Sequence, residues 1–177
     1  MKTTHTVTIG AVMRALPIRE VAPGVRVALF NPLGDWELNE AIGTELAKLI
    51  PTGTEVLVMP DGKAQALLHV LGRVAKLPTI VARKEHKPYM AEPVLKVAVK
   101  SITTNKEQAL FLGADDAALL AGKKVVIVDD VVSTGGTLLA MQKLLTEAGA
   151  ELVAVMAAFT EGTPRSDVIA LGHLPLF

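Results

Sequence analysis

The sequence predicts an α/β domain with a mostly parallel central sheet and helices on both of its faces. Half of the 177 residues are hydrophobic but only 3% are aromatic, so Val, Leu, Ile and Ala must build most of the core. Such a composition favours a parallel sheet covered by helices over a β-sandwich. Short apolar runs also alternate along the chain with segments of helical periodicity, as expected for β-α-β crossovers.

Local signals predict the elements in order. Residues 1–34 predict short strands and turns, because apolar stretches alternate there with Pro and Gly. Asp35 is a suitable N-cap for the first helix, whose buried face is predicted to extend to Leu49 before Pro51 ends it. The further elements are a strand at 55–59, a helix at 64–75 with Val74 on its buried face, a strand at 79–82, paired strands at 94–102 and 108–112 around a flexible tip at Thr103 to Lys106, a short helix at 115–120, a strand at 125–128, a loop at 129–136, a helix at 137–148 and a strand at 152–158.

We expect a single domain over residues 1–177, with a core at 35–160. Residues 1–34, together with the Gly- and Pro-punctuated tail at 160–177, are expected to form a small subdomain. The 18 basic and 18 acidic residues balance, which argues against a nucleic-acid partner. The chain has no cysteine, no signal-like start and no run of about 18 apolar residues, so we expect no membrane association and a cytoplasmic location.

Polar residues follow three predicted strands, at the edge where ligands bind in open α/β sheets. The strand at 55–59 is followed by Asp61, Gly62 and Lys63, and the strand at 79–82 by Arg83 and Lys84. A run such as 83–87 would be an ordinary solvated loop if it stood alone. Its position after a strand favours phosphate binding instead.

Residues 125–137 are the most informative segment. An apolar strand leads into two adjacent carboxylates, Asp129 and Asp130, which are suited to accept hydrogen bonds from sugar hydroxyls. The loop that follows offers hydroxyls, backbone N–H groups and a helix N-terminus to a phosphate through Ser133, Thr134, Gly135, Gly136 and Thr137. No Lys follows in the Walker arrangement, so an ATP-type loop is not indicated. A ribose 5-phosphate group satisfies both halves, whereas an isolated Asp-Asp pair would suggest only a turn.

The same segment resembles the phosphoribosyl diphosphate signature of the type I phosphoribosyltransferases. Residues 56–63 are similar to the diphosphate-binding loop of that family, and residues 81–84 to the strand and basic pair before its flexible loop. Residues 122–124 before the signature are also similar. The resemblance covers roughly residues 35–160 and is strongest to the adenine and xanthine enzymes. It implies the type I phosphoribosyltransferase fold, with residues 1–34 and the tail as a hood.

The resemblance also implies a reaction of nucleotide salvage. A purine base attacks C1 of the ribose of phosphoribosyl diphosphate, diphosphate leaves with Mg²⁺, and a nucleotide forms. Family members are commonly homodimers. The resemblance implies that Asp129 and Asp130 are the catalytic, ribose-binding residues and that the 5-phosphate is bound by Ser133, Thr134, Gly135, Gly136 and Thr137. It implies that the diphosphate is bound by Asp61, Gly62, Lys63, Arg83, Lys84 and Lys87. The implied base-binding residues are Val131 and Phe30, and Mg²⁺ is held through the diphosphate, with no protein ligand assigned.

Two features depart from the adenine enzymes. The diphosphate loop reads Pro-Asp-Gly-Lys at 60–63 in place of a Glu-Ala-Arg/Ser-Gly type run, and residues 96–105 contain no acid. The loop is thus closer to that of the xanthine enzymes. Two alternatives stay open: a non-catalytic sensor of phosphoribosyl diphosphate with the same fold, and an enzyme that acts on a pyrimidine or another base.

Overall fold

The computed structural model describes residues 2–100 and 107–177. The predicted flexible tip at Thr103 to Lys106 lies outside these ranges. The described strands are β1 (Thr4–Ile9), β2 (Val12–Ala22), β3 (Val25–Ala28), β4 (Val56–Pro60), β5 (Thr79–Ala82), β6 (Leu95–Lys100), β7 (Glu107–Leu112), β8 (Lys124–Val132), β9 (Glu151–Glu161) and β10 (Ile169–Leu174), and the described helices are α1 (Trp36–Ala47), α2 (Gln65–Ala75), α3 (Ala114–Leu120) and α4 (Gly136–Glu147). None of these helices is long and apolar enough to cross a membrane.

The central sheet has the strand order β10-β9-β8-β4-β5, and every neighbouring pair in it is parallel. Two of its inner strands, β4 and β8, contain continuous apolar runs because both of their faces are covered. All five residues of β4 are buried, as are residues 125–128 of β8. Helices α1 and α2 cover one face, and α3 and α4 cover the other. The predicted fold class is confirmed.

Several predicted boundaries are wrong. Helix α1 ends at Ala47, so Leu49 lies beyond the buried face and is 44% exposed. Val74, in the last turn of α2, is 37% exposed rather than buried. The loop predicted to begin at Asp129 begins only after Val132, because the ladder between β8 and β9 continues through the pairs Val131–Phe159 and Val132–Thr160. Strand β10 was not predicted at all.

The N-terminal residues form a separate antiparallel sheet of the order β1-β2-β3. Its buried residues Val7, Ile9 and Leu16 belong to the same hydrophobic cluster as α1 and α2. The tail divides between the two sheets: β10 extends the central sheet, whereas the backbone N–H of Phe177 donates to the carbonyl oxygen of Arg26 at 2.8 Å. The division of the chain into a core and a hood stays a prediction.

The order of the central strands locates a crevice. Along the sheet, β5 lies on one side of β4, whereas β8, β9 and β10 follow one another on its other side. The direction in which successive strands are added to the sheet therefore reverses between β4 and β8. In open α/β sheets this reversal opens a ligand-binding crevice at the carboxyl ends of the two strands. The predicted site residues at 61–63 and 129–137 follow or end these two strands.

Candidate active site

Strands β4 and β8 bring two predicted groups of residues together. Val58 of β4 is paired with Ile127 of β8, so the segments that follow in each strand reach the same edge. There the Nζ atom of Lys63 lies 3.6 Å from Oδ2 of Asp130 and donates to the carbonyl oxygen of Phe30 at 3.0 Å. Lys63 therefore links the predicted diphosphate loop to the acidic pair and to the N-terminal segment.

The acidic pair lies on β8 itself, not in a loop. Asp129 and Asp130 are half-buried, and the Oδ1 atom of Asp129 accepts a hydrogen bond from the backbone N–H of Asp130 at 2.8 Å. Burial, with the charge of Asp130 as the second cause, raises the pKa of Asp129 to about 7; the charge of Lys84 opposes this rise. On strand β8, the carboxyl of Asp129 therefore exchanges a proton near neutral pH.

Replacing Asp129 by Asn is expected to stabilise the ligand-free protein at pH 8. Because the folded-state pKa of Asp129 is raised from 3.8 to about 7, the folded state binds more protons than the unfolded state between these values. The contribution of Asp129 to stability is thus lost as the pH rises through this window. The amide does not titrate, so the melting temperature of the variant should exceed that of the wild type by at least about 2 °C at pH 8. The difference should shrink at pH 4.5; equal differences at both pH values would contradict the assignment.

The turn after β8 has the geometry of an anion site. Gly135 is the N-cap of α4 in the left-handed conformation, with φ of 81°, and no side chain caps the helix. The first N–H groups of a helix have no partner within it, so those at the start of α4 are available to a ligand. The side chains of Ser133, Thr134 and Thr137 are exposed beside them. The predicted phosphate-binding residues therefore form this turn and the first residues of α4. The helix begins at Gly136, one residue before its predicted start.

The carboxyl end of β4 is held against that of β5. The backbone N–H of Asp61 donates to the carbonyl oxygen of Ala82 at 2.8 Å. The carboxylate of Asp61 accepts from Nε2 of Gln65 at 2.6 Å and lies 3.8 Å from Nη1 of Arg83. The N–H and the carboxylate of Asp61 are thus both engaged, and its carboxylate lies beside Arg83, while Gly62 continues the loop toward Lys63.

The basic residues after β5 lie in different places. Arg83 donates through Nη2 to the hydroxyl of Tyr89 at 3.2 Å, while its buried Nε has no hydrogen-bond partner. Lys84 is exposed and close enough to Asp129 to influence its pKa. Lys87 is paired with Glu85 at 2.6 Å on the loop. Arg83 and Lys84 are thus placed at the crevice, whereas Lys87 has a partner on the loop.

The two predicted base-binding residues meet at Phe159, which the sequence did not single out. The ring of Phe30 is 4% exposed and packs edge-to-face on Phe159, with 5.0 Å between ring centroids. Val131 is half-buried and is paired with Phe159 between β8 and β9. The Phe30 ring therefore belongs to the hydrophobic core, and it is the carbonyl group of Phe30 that contacts the site residue Lys63.

A second residue missed from the sequence, Arg165, lies against the turn after β8. Its Nη1 atom is 3.5 Å from the carbonyl oxygen of Ser133. A Cβ atom added to Gly135 would lie only 2.5 Å from the same Nη1 atom. No local signal marks Arg165, because it stands in the punctuated tail, 32 positions from Ser133.

Comparisons with known proteins agree with this geometry. Residues 40–171 match the family described as phosphoribosyl transferase domain. A hypoxanthine/guanine phosphoribosyltransferase from Methanococcus vannielii is 30% identical over 137 residues, which are 77% of this chain and 70% of that protein. An orotate phosphoribosyltransferase from Staphylococcus haemolyticus is 33% identical over 112 residues, 60% of this chain and 53% of that protein. The fold is similar to the crystal structure of adenine phosphoribosyltransferase from Thermoanaerobacter pseudethanolicus, with a TM-score of 0.66, 22% identity and coverage of 78% of this chain and 82% of that one.

Proposed function

The chain belongs to the phosphoribosyl transferase domain family, and we propose that it transfers ribose 5-phosphate from phosphoribosyl diphosphate to a purine base, with release of diphosphate. The observation that carries the proposal is the crevice between β4 and β8. There one strand carries the acidic pair directly into a helix-opening turn, while Lys63 faces Asp130 from the other strand. Purine transfer places the protein in nucleotide salvage.

We propose that the sugar lies along the end of β8. Its 2- and 3-hydroxyls would donate to Asp129 and Asp130, which keep the ribose in one orientation. Its 5-phosphate would accept from the hydroxyls and backbone N–H groups of residues 133–137. As the bond from C1 to diphosphate breaks and a base nitrogen bonds to C1, positive charge develops on the ribose. The nearby carboxylates stabilise that charge.

Diphosphate would leave toward the cations at the ends of β4 and β5, namely Lys63, Arg83 and Lys84. Asp61 would lie beside Arg83 rather than touch the anion, because its carboxylate is negatively charged and lies 3.8 Å from Nη1 of Arg83. Mg²⁺, bound to the diphosphate oxygens, would neutralise charge on the leaving group. Asp129 and Asp130 supply hard oxygen atoms beside this position. Within the part of the chain that the structure describes, however, they do not belong to a cluster of three or more potential metal ligands, so the diphosphate would hold the ion.

The remaining assignments follow from the same function. The base would lie near Val131 and the carbonyl group of Phe30, with the N-terminal sheet as a hood over a core at 35–160. We also propose a cytoplasmic homodimer that has no nucleic-acid partner. The balanced charge supports the last point, and light scattering of the purified protein tests the dimer.

A panel of bases tests the activity. The protein is incubated with Mg²⁺, phosphoribosyl diphosphate and, separately, adenine, hypoxanthine, guanine, xanthine or orotate, and diphosphate release is measured. We expect turnover with at least one purine and none with orotate. Binding of phosphoribosyl diphosphate without turnover on any base would identify a sensor instead. Turnover with orotate alone would identify a pyrimidine enzyme.

Replacing Lys63 by Gln is expected to raise the KM for phosphoribosyl diphosphate about tenfold, because a charge-assisted contact to a phosphate contributes about 1.5–3 kcal/mol. The affinity for inorganic diphosphate should fall to a similar extent in a titration. Lys48, an exposed residue paired with Glu45 at the end of α1, provides the matched control. Its Gln variant should behave like the wild type. An unchanged diphosphate affinity in K63Q would refute the assigned role.

A further inference from the structure

The turn proposed to hold the 5-phosphate lacks a cation of its own. Residues 133–138 read Ser-Thr-Gly-Gly-Thr-Leu. A phosphate monoester carries about −1.5 to −2 charges at pH 7. A helix N-terminus offers only about half a positive charge. Hydroxyls and N–H groups supply hydrogen bonds but no net charge, so a cation from another part of the chain would complete the site.

Arg165 has the position that this requirement describes. It stands in the connection between β9 and β10, which returns the chain to the start of α4. The whole guanidinium group lies against Gly135: a Cβ atom there would be 2.5 Å from Nη1, 3.3 Å from Cζ and 3.5 Å from Nη2. Nη1 also approaches the carbonyl oxygen of Ser133 at 3.5 Å. The guanidinium therefore takes the space that a side chain at position 135 would need.

Asp167 holds this guanidinium in one orientation. Its carboxylate accepts from Nε at 3.1 Å and from Nη2 at 2.6 Å, a two-point contact that leaves Nη1 directed at the turn. The Arg165 side chain is 22% exposed and that of Asp167 is 61% exposed. Because Asp167 is the more hydrated partner, solvent screens its negative charge more strongly than the positive charge beside Gly135.

We propose that Arg165 is a positioning residue of the 5-phosphate site. It keeps residues 133–136 in the conformation that receives an anion, and it adds positive charge beside the bound phosphate. The inference rests on the proposed function, since it concerns the same sugar phosphate. No feature of the sequence around residues 125–137 predicts this role of Arg165. The contact exists because the connection after β9 folds back over the turn that follows β8.

Binding of ribose 5-phosphate alone tests the inference without the need for turnover. Titration calorimetry should show that R165Q binds this ligand about tenfold more weakly than the wild type, whereas its affinity for inorganic diphosphate stays within about twofold. R165K should fall between them, because Lys keeps the charge but lacks the planar fork that contacts Asp167 and Ser133 together. R73Q, which removes an exposed arginine paired with Glu40, should bind like the wild type.

Two further readouts separate positioning from a merely structural role. Raising NaCl from about 0.05 M to about 0.5 M should weaken ribose 5-phosphate binding more in the wild type than in R165Q, since salt screens the charge that the variant lacks. In turnover, KM for phosphoribosyl diphosphate should rise about tenfold while kcat changes less than about threefold. Unchanged melting temperatures would show that the variants fold.

R165Q with wild-type affinity for ribose 5-phosphate would overturn the inference, as would equal salt dependence in both proteins. A wild type that binds ribose 5-phosphate but turns over no base would refute the proposed activity, while the loss of binding in R165Q would still support the role of Arg165. A wild type that does not bind ribose 5-phosphate would overturn both.

Discussion

Replacing both Asp129 and Asp130 by Asn is expected to lower kcat/KM for phosphoribosyl diphosphate by about a hundredfold to ten-thousandfold. An ionised carboxylate that accepts a hydroxyl hydrogen bond contributes about 1.5–3 kcal/mol, and the pair would lose two such contacts. The loss of kcat/KM should not result from unfolding, because the Asn side chains have nearly the same shape as the Asp side chains. Steady-state kinetics with the preferred base measure the effect.

The chain contains its own control for this variant. Asp115 and Asp116 are a second adjacent acidic pair, in the first turn of α3. The double Asn variant of that pair also replaces two adjacent carboxyl groups by amides but leaves the crevice intact, so its kcat/KM should match that of the wild type. If the variants at 129 and 130 retained wild-type kcat/KM as well, the assigned ribose role would be wrong.

Replacing Gly135 by Ala is expected to lower kcat/KM for phosphoribosyl diphosphate by about a hundredfold. The φ of 81° is strained for a residue with a Cβ atom by about 1–2 kcal/mol, and the new atom would lie 2.5 Å from Nη1 of Arg165. Either the turn or the guanidinium must move, and both form the proposed phosphate site. Kinetics and ribose 5-phosphate titration measure the loss, and thermal unfolding measures the strain.

Gly149 separates strain from function. It follows α4 with φ of 73°, and an added Cβ atom would meet nothing within 4 Å. Its Ala variant should lose about 1–2 kcal/mol of unfolding free energy through the same backbone strain. Its ligand affinity should stay at the wild-type value. Equal kinetics in G135A and G149A would remove residues 133–137 from the phosphate site.

Local sequence predicted most of the fold because the relevant signals are short. The strand predicted at 79–82 is found at Thr79–Ala82, and the helix predicted at 137–148 is found at Gly136–Glu147. Asp35 caps α1 by accepting from the N–H of Leu38 at 3.0 Å, as its type and position indicate. These features depend on periodicity and capping within about one or two helical turns, which a single sequence displays.

The errors occur where partners distant in sequence decide the outcome. Acidic residues are unfavourable in strands, so the pattern placed Asp129 in a loop. Pairing with β9 extends β8 through both acids nevertheless. Strand β10 was missed because Gly172 and the nearby prolines obscure it, and it forms by pairing with β9.

The amino-acid sequence by itself determined the α/β class, the order of the elements from α1 to β9 and the segment that carries the sugar- and phosphate-binding chemistry. These features depend on contiguous residues: the periodicity of the hydrophobic positions, the helix caps and the thirteen-residue motif at 125–137. Only the tertiary structure decided that Lys63 faces Asp130, that Phe159 underlies Phe30 and Val131, and that Arg165 covers Gly135. Those contacts follow from the strand order β10-β9-β8-β4-β5. Burial of the hydrophobic faces of the whole chain selects this order, so no short segment of the sequence indicates it.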